Sequence, residues 1–161
     1  MSVANKQNRT YVSAGAASAV GNLALDRMHE EFRDLLDLFD ACEDTQCAAV
    51  LGVIQAHLGR QSAAEEEWMR ISDDPDIERH KHEHDFWLDV IGEVRQRVEH
   101  GDIQIAHWLS NELSHWFETH RRESDSALVD FLQSRRDARC VIGERGTFGP
   151  RRTTRSRNRS E

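Results

Sequence analysis

Apolar residues recur along most of the chain at the three- and four-residue spacing of a helix face. Four such series cover Leu25–Phe39, Val50–Trp68, His80–Val98 and Ile105–Leu132. This spacing places side chains on one side of an α-helix. Four amphipathic helices of about 20 residues, joined by short loops, predict an all-α fold, namely an up-down-up-down four-helix bundle.

Residues that favour turns separate the four series. Glu43–Thr45 follows the first series and Ser72–Pro75 follows the second. The third ends at His100-Gly101, where glycine suits the end of a helix. Asp102 is placed to cap the next helix. Each predicted helix therefore has a predicted end.

The two ends of the chain lack this periodicity. Residues 1–22 are small and polar, and they predict a flexible arm without the hydrophobic region of a signal peptide. Residues 23–138 contain the predicted bundle, and residues 139–161 predict a basic, disordered tail. No stretch approaches the roughly 18 uninterrupted apolar residues of a membrane helix. We expect one domain that does not enter a membrane.

Charge is distributed unevenly along the chain. The net charge is −8, but residues 141–161 hold six arginines and two glutamates, which leaves −12 on residues 1–140. An acidic body repels nucleic acid, so we expect no nucleic-acid partner. The basic tail is the segment through which a partner protein could bind.

Three cysteines, Cys42, Cys47 and Cys140, form no CxxC pair. An odd number without paired spacing supports neither a disulfide framework nor a cysteine zinc site. This cysteine usage favours a reducing cytoplasm. Cys42 and Cys47 flank the first turn, and the sequence assigns them no chemistry.

Imidazoles and carboxylates occupy positions that the helix pattern predicts to be core. They are His29, Glu65, His80, His84 and His120. Burying such groups without partners costs several kcal/mol, and a metal ion would satisfy them together. His80 and His84 are four residues apart, so they project from one helix face.

His120 and Asp125 are five residues apart, which separates them by about 140° on an ideal α-helix. Two arrangements are consistent with this spacing. The side chains flank the bundle axis from two sides, or a local widening of the helix brings them together.

Four segments carry a family resemblance: LDRMHEEF at 25–32, EEEWM at 65–69, HKHEH at 80–84 and WFETHRRESD at 116–125. In this order they resemble the bacteriohemerythrins, from about Leu23 to Leu132. The resemblance implies two non-haem iron ions joined by an oxo or hydroxo bridge, with dioxygen as the ligand. It also implies the metal ligands: His80, His84 and His120 on the first iron, His29 on the second, and Glu65 and Asp125 bridging.

The family pattern has a further histidine four residues before the bridging glutamate, where this chain has Gln61. Three outcomes are open at this position. Gln61 or water replaces the imidazole, His57 from one turn earlier is recruited, or the second iron is lost. A weakened second iron site is expected in the first case.

The resemblance implies that the protein carries, stores or delivers oxygen as a monomer or weak oligomer. It also implies that the protein is not an enzyme, apart from weak peroxidase or oxidase activity. Two alternatives are an oxygen, redox or iron sensor that acts through a partner, and a di-iron protein that reacts with peroxide or nitric oxide. A ferritin-like carboxylate protein needs two ExxH motifs, whereas only Glu112 and His115 form one. The HExxH motif of zinc hydrolases is absent.

Overall fold

A computed structural model describes the backbone of residues 22–145 and the side chains of residues 22–136. These residues form five α-helices: α1 (Leu23–Ala41), α2 (Cys47–Ser72), α3 (Ile77–Glu99), α4 (Gln104–His120) and α5 (Ser126–Arg145). A π-helical segment, Arg121–Asp125, joins α4 to α5 without a break. The two helices therefore form one continuous rod, and the predicted all-α four-helix bundle is confirmed.

The helix ends follow the local sequence. The Asn22 side chain caps α1 by accepting hydrogen bonds from the backbone of Ala24 and Leu25. Gly101 has a φ of 96°, a conformation that favours glycine, and it ends the turn after α3. Asp102, which the sequence predicts as the α4 cap, instead accepts a hydrogen bond from Arg97 Nε at 3.1 Å. Because α4 begins at Gln104, its N-cap position falls on Ile103, one residue after Asp102.

The four members of the bundle are α1, α2, α3 and the α4–α5 rod. They pack in a closed ring, in which α1 and α3 each contact both α2 and α4. The hydrophobic core fills the half of the bundle nearer the α1–α2 turn. Its most deeply buried members include Phe32, Leu51, Ile54, Leu58, Ile91, Leu109, Leu113 and Phe117. The imidazoles and carboxylates at predicted core positions lie in the other half, toward the α2–α3 turn.

Two details differ from the sequence expectation. Val53 and Trp108 belong to the predicted series of apolar positions, yet each side chain is about half exposed. The buried faces of their helices centre on the next residues, Ile54 and Leu109. The bundle was expected to end at residue 138, but helical backbone continues to Arg145. Alanine and arginine favour helix, and the next proline is Pro150.

The predicted arm and the remainder of the predicted tail, residues 1–21 and 146–161, lie outside the described residues. Within the described part, no helix is long and apolar enough to cross a membrane.

Candidate metal centre

A cluster of five buried side chains lies between α2, α3 and the α4–α5 rod. Its members are Glu65, His80, His84, His120 and Asp125, whose ligand atoms all lie within 4.8 Å of one another. None of the five is more than 2% exposed. The cluster therefore brings together five of the six residues proposed as metal ligands.

The π-helical segment positions Asp125 beside His120. A π-helix pairs residues five apart, whereas an α-helix would turn them away from each other. As a result, His120 Nε2 and Asp125 Oδ1 are 3.0 Å apart. Of the two arrangements left open by the sequence, the local widening of the helix is confirmed.

Three imidazole nitrogens converge on one point. His84 Nε2 lies 3.2 Å from His80 Nε2 and 3.0 Å from His120 Nε2. Glu65 Oε2 completes this side, at 2.7 Å from His80 Nε2 and 2.9 Å from His84 Nε2. A neutral imidazole has only one N–H, so these nitrogens cannot all be satisfied by hydrogen bonds to one another.

The spacing of these atoms fits a shared cation. Metal–nitrogen bonds of about 2.1 Å at right angles place neighbouring ligand atoms about 3 Å apart. Six contacts among these nitrogens and the oxygens of the two carboxylates measure between 2.7 and 3.5 Å, around this value. Histidine nitrogen together with carboxylate oxygen suits a first-row transition metal such as iron.

Each carboxylate turns its second oxygen away from the three histidines. Asp125 Oδ2 lies 2.7 Å from His29 Nε2, on the opposite side from Oδ1. Glu65 Oε1 accepts a hydrogen bond from Gln61 Nε2 at 2.8 Å. His29 and Gln61 thus mark a second position that shares both carboxylates with the first.

The two shared carboxylates remain ionised despite complete burial. Burial alone would raise the pKa of Glu65, but hydrogen bonds from His80 and His84 lower it. Burial would also raise the pKa of Asp125, yet its bonds to His120 and His29 lower it well below the ordinary range. Ionised carboxylates are the form that binds a metal ion.

Glu83 contacts His120 at Nδ1, the ring nitrogen that does not face the cluster. Its Oε2 lies 2.7 Å from His120 Nδ1 and accepts a hydrogen bond from Ser124 Oγ at 2.8 Å. The bond with His120 and the Ser124 hydroxyl lower the pKa of Glu83 to about 2. Burial opposes charge on His120, but its bonds to Asp125 and Glu83 raise its pKa to about 10. A carboxylate on the outer nitrogen fixes the orientation of a metal-binding histidine.

Sequence reasoning missed Glu83 and Ser124. Both stand inside the segments that carry the family resemblance, Glu83 directly before His84 and Ser124 directly before Asp125. A polar residue next to a ligand position on the same helix was the available signal.

His57 is buried but lies outside the cluster. Its Nε2 donates a hydrogen bond to the Met28 carbonyl at 3.1 Å, and its Nδ1 lies 3.7 Å from a Glu31 carboxylate oxygen. Burial lowers the pKa of His57, so the ring is neutral at pH 7. Both ring nitrogens are thus directed at α1, and His57 is not brought to the second position.

Two comparisons with known proteins agree on the family. Residues 21–132 match the family model of the hemerythrin HHE cation binding domain. A bacteriohemerythrin of Ralstonia nicotianae is 32% identical over 116 residues, which cover 72% of this chain and 85% of that protein. The chain belongs to the hemerythrin HHE cation-binding family.

Proposed function

We propose that this protein binds dioxygen at a pair of non-haem irons, bridged by an oxo or hydroxo group, and serves in oxygen carriage, storage or delivery. One observation carries the proposal. Glu65 and Asp125 each direct one oxygen at the three-histidine cluster and the other at the Gln61 and His29 side. Two carboxylates shared in this way suit two metal ions side by side.

Two ferrous ions held there would supply the electrons and the open coordination position that dioxygen binding requires. The protein would supply different ligands to the two metal positions. Three imidazoles and two carboxylate oxygens surround the first position. The second position has His29, the other two carboxylate oxygens and the Gln61 amide, which offers only a neutral oxygen as a donor.

Gln61 weakens the second position in a specific way. Its amide nitrogen is bonded to Glu65 Oε1, the oxygen that would bridge to the second ion, while its own carbonyl oxygen is buried without a hydrogen-bond partner. An ion at this position must replace the amide–carboxylate bond, and Gln61 supplies no imidazole in addition to that of His29. We therefore propose tight binding of the first iron and weaker binding of the second.

Apolar and aromatic side chains separate the second position from bulk water. The Phe117 ring lies 5.6 Å from the His29 ring, and Phe32 packs against Phe117 at 4.7 Å. Phe32, Phe117 and His29 are each at most 1% exposed. Exclusion of water limits proton delivery to a bound ligand, which favours release of intact dioxygen over its reduction.

We further propose that the protein is a binding protein rather than an enzyme, a monomer or weak oligomer located in the cytoplasm. An odd number of cysteines without paired spacing supports a reducing compartment. The fewer donors at the second position favour one additional candidate function, reaction with peroxide or nitric oxide, because open iron positions accept such ligands.

The test is oxygenation of the reduced, iron-loaded protein. The proposal predicts a new visible absorption on addition of dioxygen that disappears when dioxygen is removed, over several cycles. Irreversible oxidation in the first cycle, with consumption of dioxygen, would favour the additional candidate and contradict oxygen carriage.

A further inference from the structure

The turn between α1 and α2 brings two thiols together at the far end of the bundle from the metal centre. Cys42 follows the last residue of α1 and Cys47 begins α2. Their Sγ atoms are 3.4 Å apart. About 27 Å of α2 separates Cys47 from Glu65, so the thiol pair is distinct from the cluster of metal ligands.

We propose that Cys42 and Cys47 are a reversible dithiol–disulfide pair that hydrogen peroxide oxidises. A disulfide needs an Sγ–Sγ distance of about 2.05 Å, so each sulfur has to move by well under 1 Å. Side-chain rotations can provide a movement of this size.

The turn holds the two thiols together independently of any bond between them. The Gln46 backbone N–H donates to the Glu43 carbonyl at 2.7 Å, and the Glu43 N–H donates to the Gln46 side chain at 3.3 Å. These reciprocal bonds fix the backbone between the cysteines. The pair is therefore preorganised in the reduced state.

Different exposure of the two thiols gives them different roles. Cys42 is partly exposed, whereas Cys47 is only 3% exposed. Burial, the bond with Cys42 and the negative charge of Asp44 raise the pKa of Cys47 to about 11. Cys42 is thus the thiol that peroxide reaches, and Cys47 is the one that resolves the product.

The reaction proceeds in two steps. The Cys42 sulfur attacks one oxygen of hydrogen peroxide, the O–O bond breaks, and Cys42 becomes a sulfenic acid as one water is released. The Cys47 sulfur then attacks the Cys42 sulfur, the S–O bond breaks, and the departing hydroxide takes the Cys47 proton to leave as a second water. Two thiols are oxidised by two electrons, and one peroxide is reduced to two waters.

The experiment uses the full chain with Cys140→Ser, which leaves only the two thiols of the pair. The reduced protein is treated with hydrogen peroxide at pH 8, alkylated under denaturing conditions and analysed by intact mass. We expect free thiols to fall from two to zero per chain, with a loss of two hydrogen atoms, and dithiothreitol to restore both thiols. Cleavage after Glu43 separates the cysteines, so the two fragments should stay joined only in the oxidised sample.

Matched single variants identify the role of each thiol. Cys47→Ser should trap a Cys42 sulfenic acid that dimedone labels, and Cys42→Ser should leave Cys47 unmodified under the same treatment. Unchanged thiols, or further oxidation of Cys42 without a link to Cys47, would overturn the proposal. Either result would assign the pair to packing of the bundle end alone.

Discussion

Gln61 and Glu65 lie one turn apart on α2, and the Gln61 amide nitrogen donates a hydrogen bond to Glu65 Oε1 at 2.8 Å. The other oxygen of this carboxylate faces His80 and His84. One carboxylate is thus held between a three-histidine cluster and an amide. This asymmetry distinguishes the first metal position from the second.

Replacing Gln61 by histidine should strengthen the second position. An imidazole adds a metal donor and removes the amide that competes for Glu65 Oε1. We expect the second equivalent of ferrous iron to bind at least about tenfold more tightly in Gln61→His, measured by anaerobic calorimetric titration. Gln96→His, the same change at an exposed position of α3, is the control and should bind like the parent. Equal second affinities in all three proteins would show that Gln61 does not limit this site.

Glu83→Gln should weaken the first position. The amide removes the charge that orients His120 through its Nδ1, which lies 2.7 Å from Glu83 Oε2. Loss of such a supporting carboxylate reduces metal affinity by about 10- to 100-fold. Competition with a chromophoric chelator measures the affinity of the first equivalent. Glu99→Gln, which removes an exposed ion pair with Arg95, is the control. An unchanged affinity for Glu83→Gln would contradict this supporting role.

The stability of the metal-free protein should depend on pH through His120 and Glu83. The pKa of His120 is raised from 6.5 to about 10, so its contribution is complete below about pH 6.5 and is lost as pH rises toward 10. The pKa of Glu83 is lowered from 4.5 to about 2, so its contribution is complete above about pH 4.5 and is lost as pH falls toward 2. We expect the free energy of unfolding in urea to be highest between these limits.

The same pH series on Glu83→Gln provides the control. Without the Glu83 carboxylate, protonated His120 loses one of its two partners, so the loss of stability between pH 6.5 and 10 should become smaller. An identical alkaline slope in the two proteins would show that the pair is not coupled.

The hydrophobic half of the bundle should carry much of the stability. Leu109 of α4 is completely buried in the core of the bundle. Leu109→Ala should therefore lower the free energy of unfolding by about 2–5 kcal/mol. Leu38→Ala removes the same atoms from a side chain that is 52% exposed, and it should cost no more than about 0.5 kcal/mol. Urea denaturation of both variants tests this, and similar losses would mean that the core lies elsewhere.

Periodicity was sufficient to predict the four rods, because core formation selects apolar residues at helical spacing. The turn at Gly101 was predictable for a similar reason, since few other residues adopt its conformation. The relation of His120 to Asp125 was not, because spacing alone does not distinguish an α-helical turn from a π-helical one. Only the structure shows that the rod widens at Arg121–Asp125 and brings the two side chains together.

Tertiary contacts account for what the sequence left open. His57 and Gln61 are one turn apart on α2, and both were candidates for the second position. The choice depends on the Met28 carbonyl of the neighbouring helix, which accepts a hydrogen bond from His57. Likewise, Cys42 and Cys47 form no CxxC pair, and their proximity arises from the three-dimensional shape of the turn.

The proposed oxygen binding requires that this bundle hold two bridged irons. Their presence can be tested by metal analysis after anaerobic iron loading, combined with the visible spectrum of the oxidised protein with and without azide. We expect close to two irons per chain at saturating iron and charge-transfer bands that change when azide binds. Fewer than about one iron per chain, with no charge-transfer bands, would contradict it.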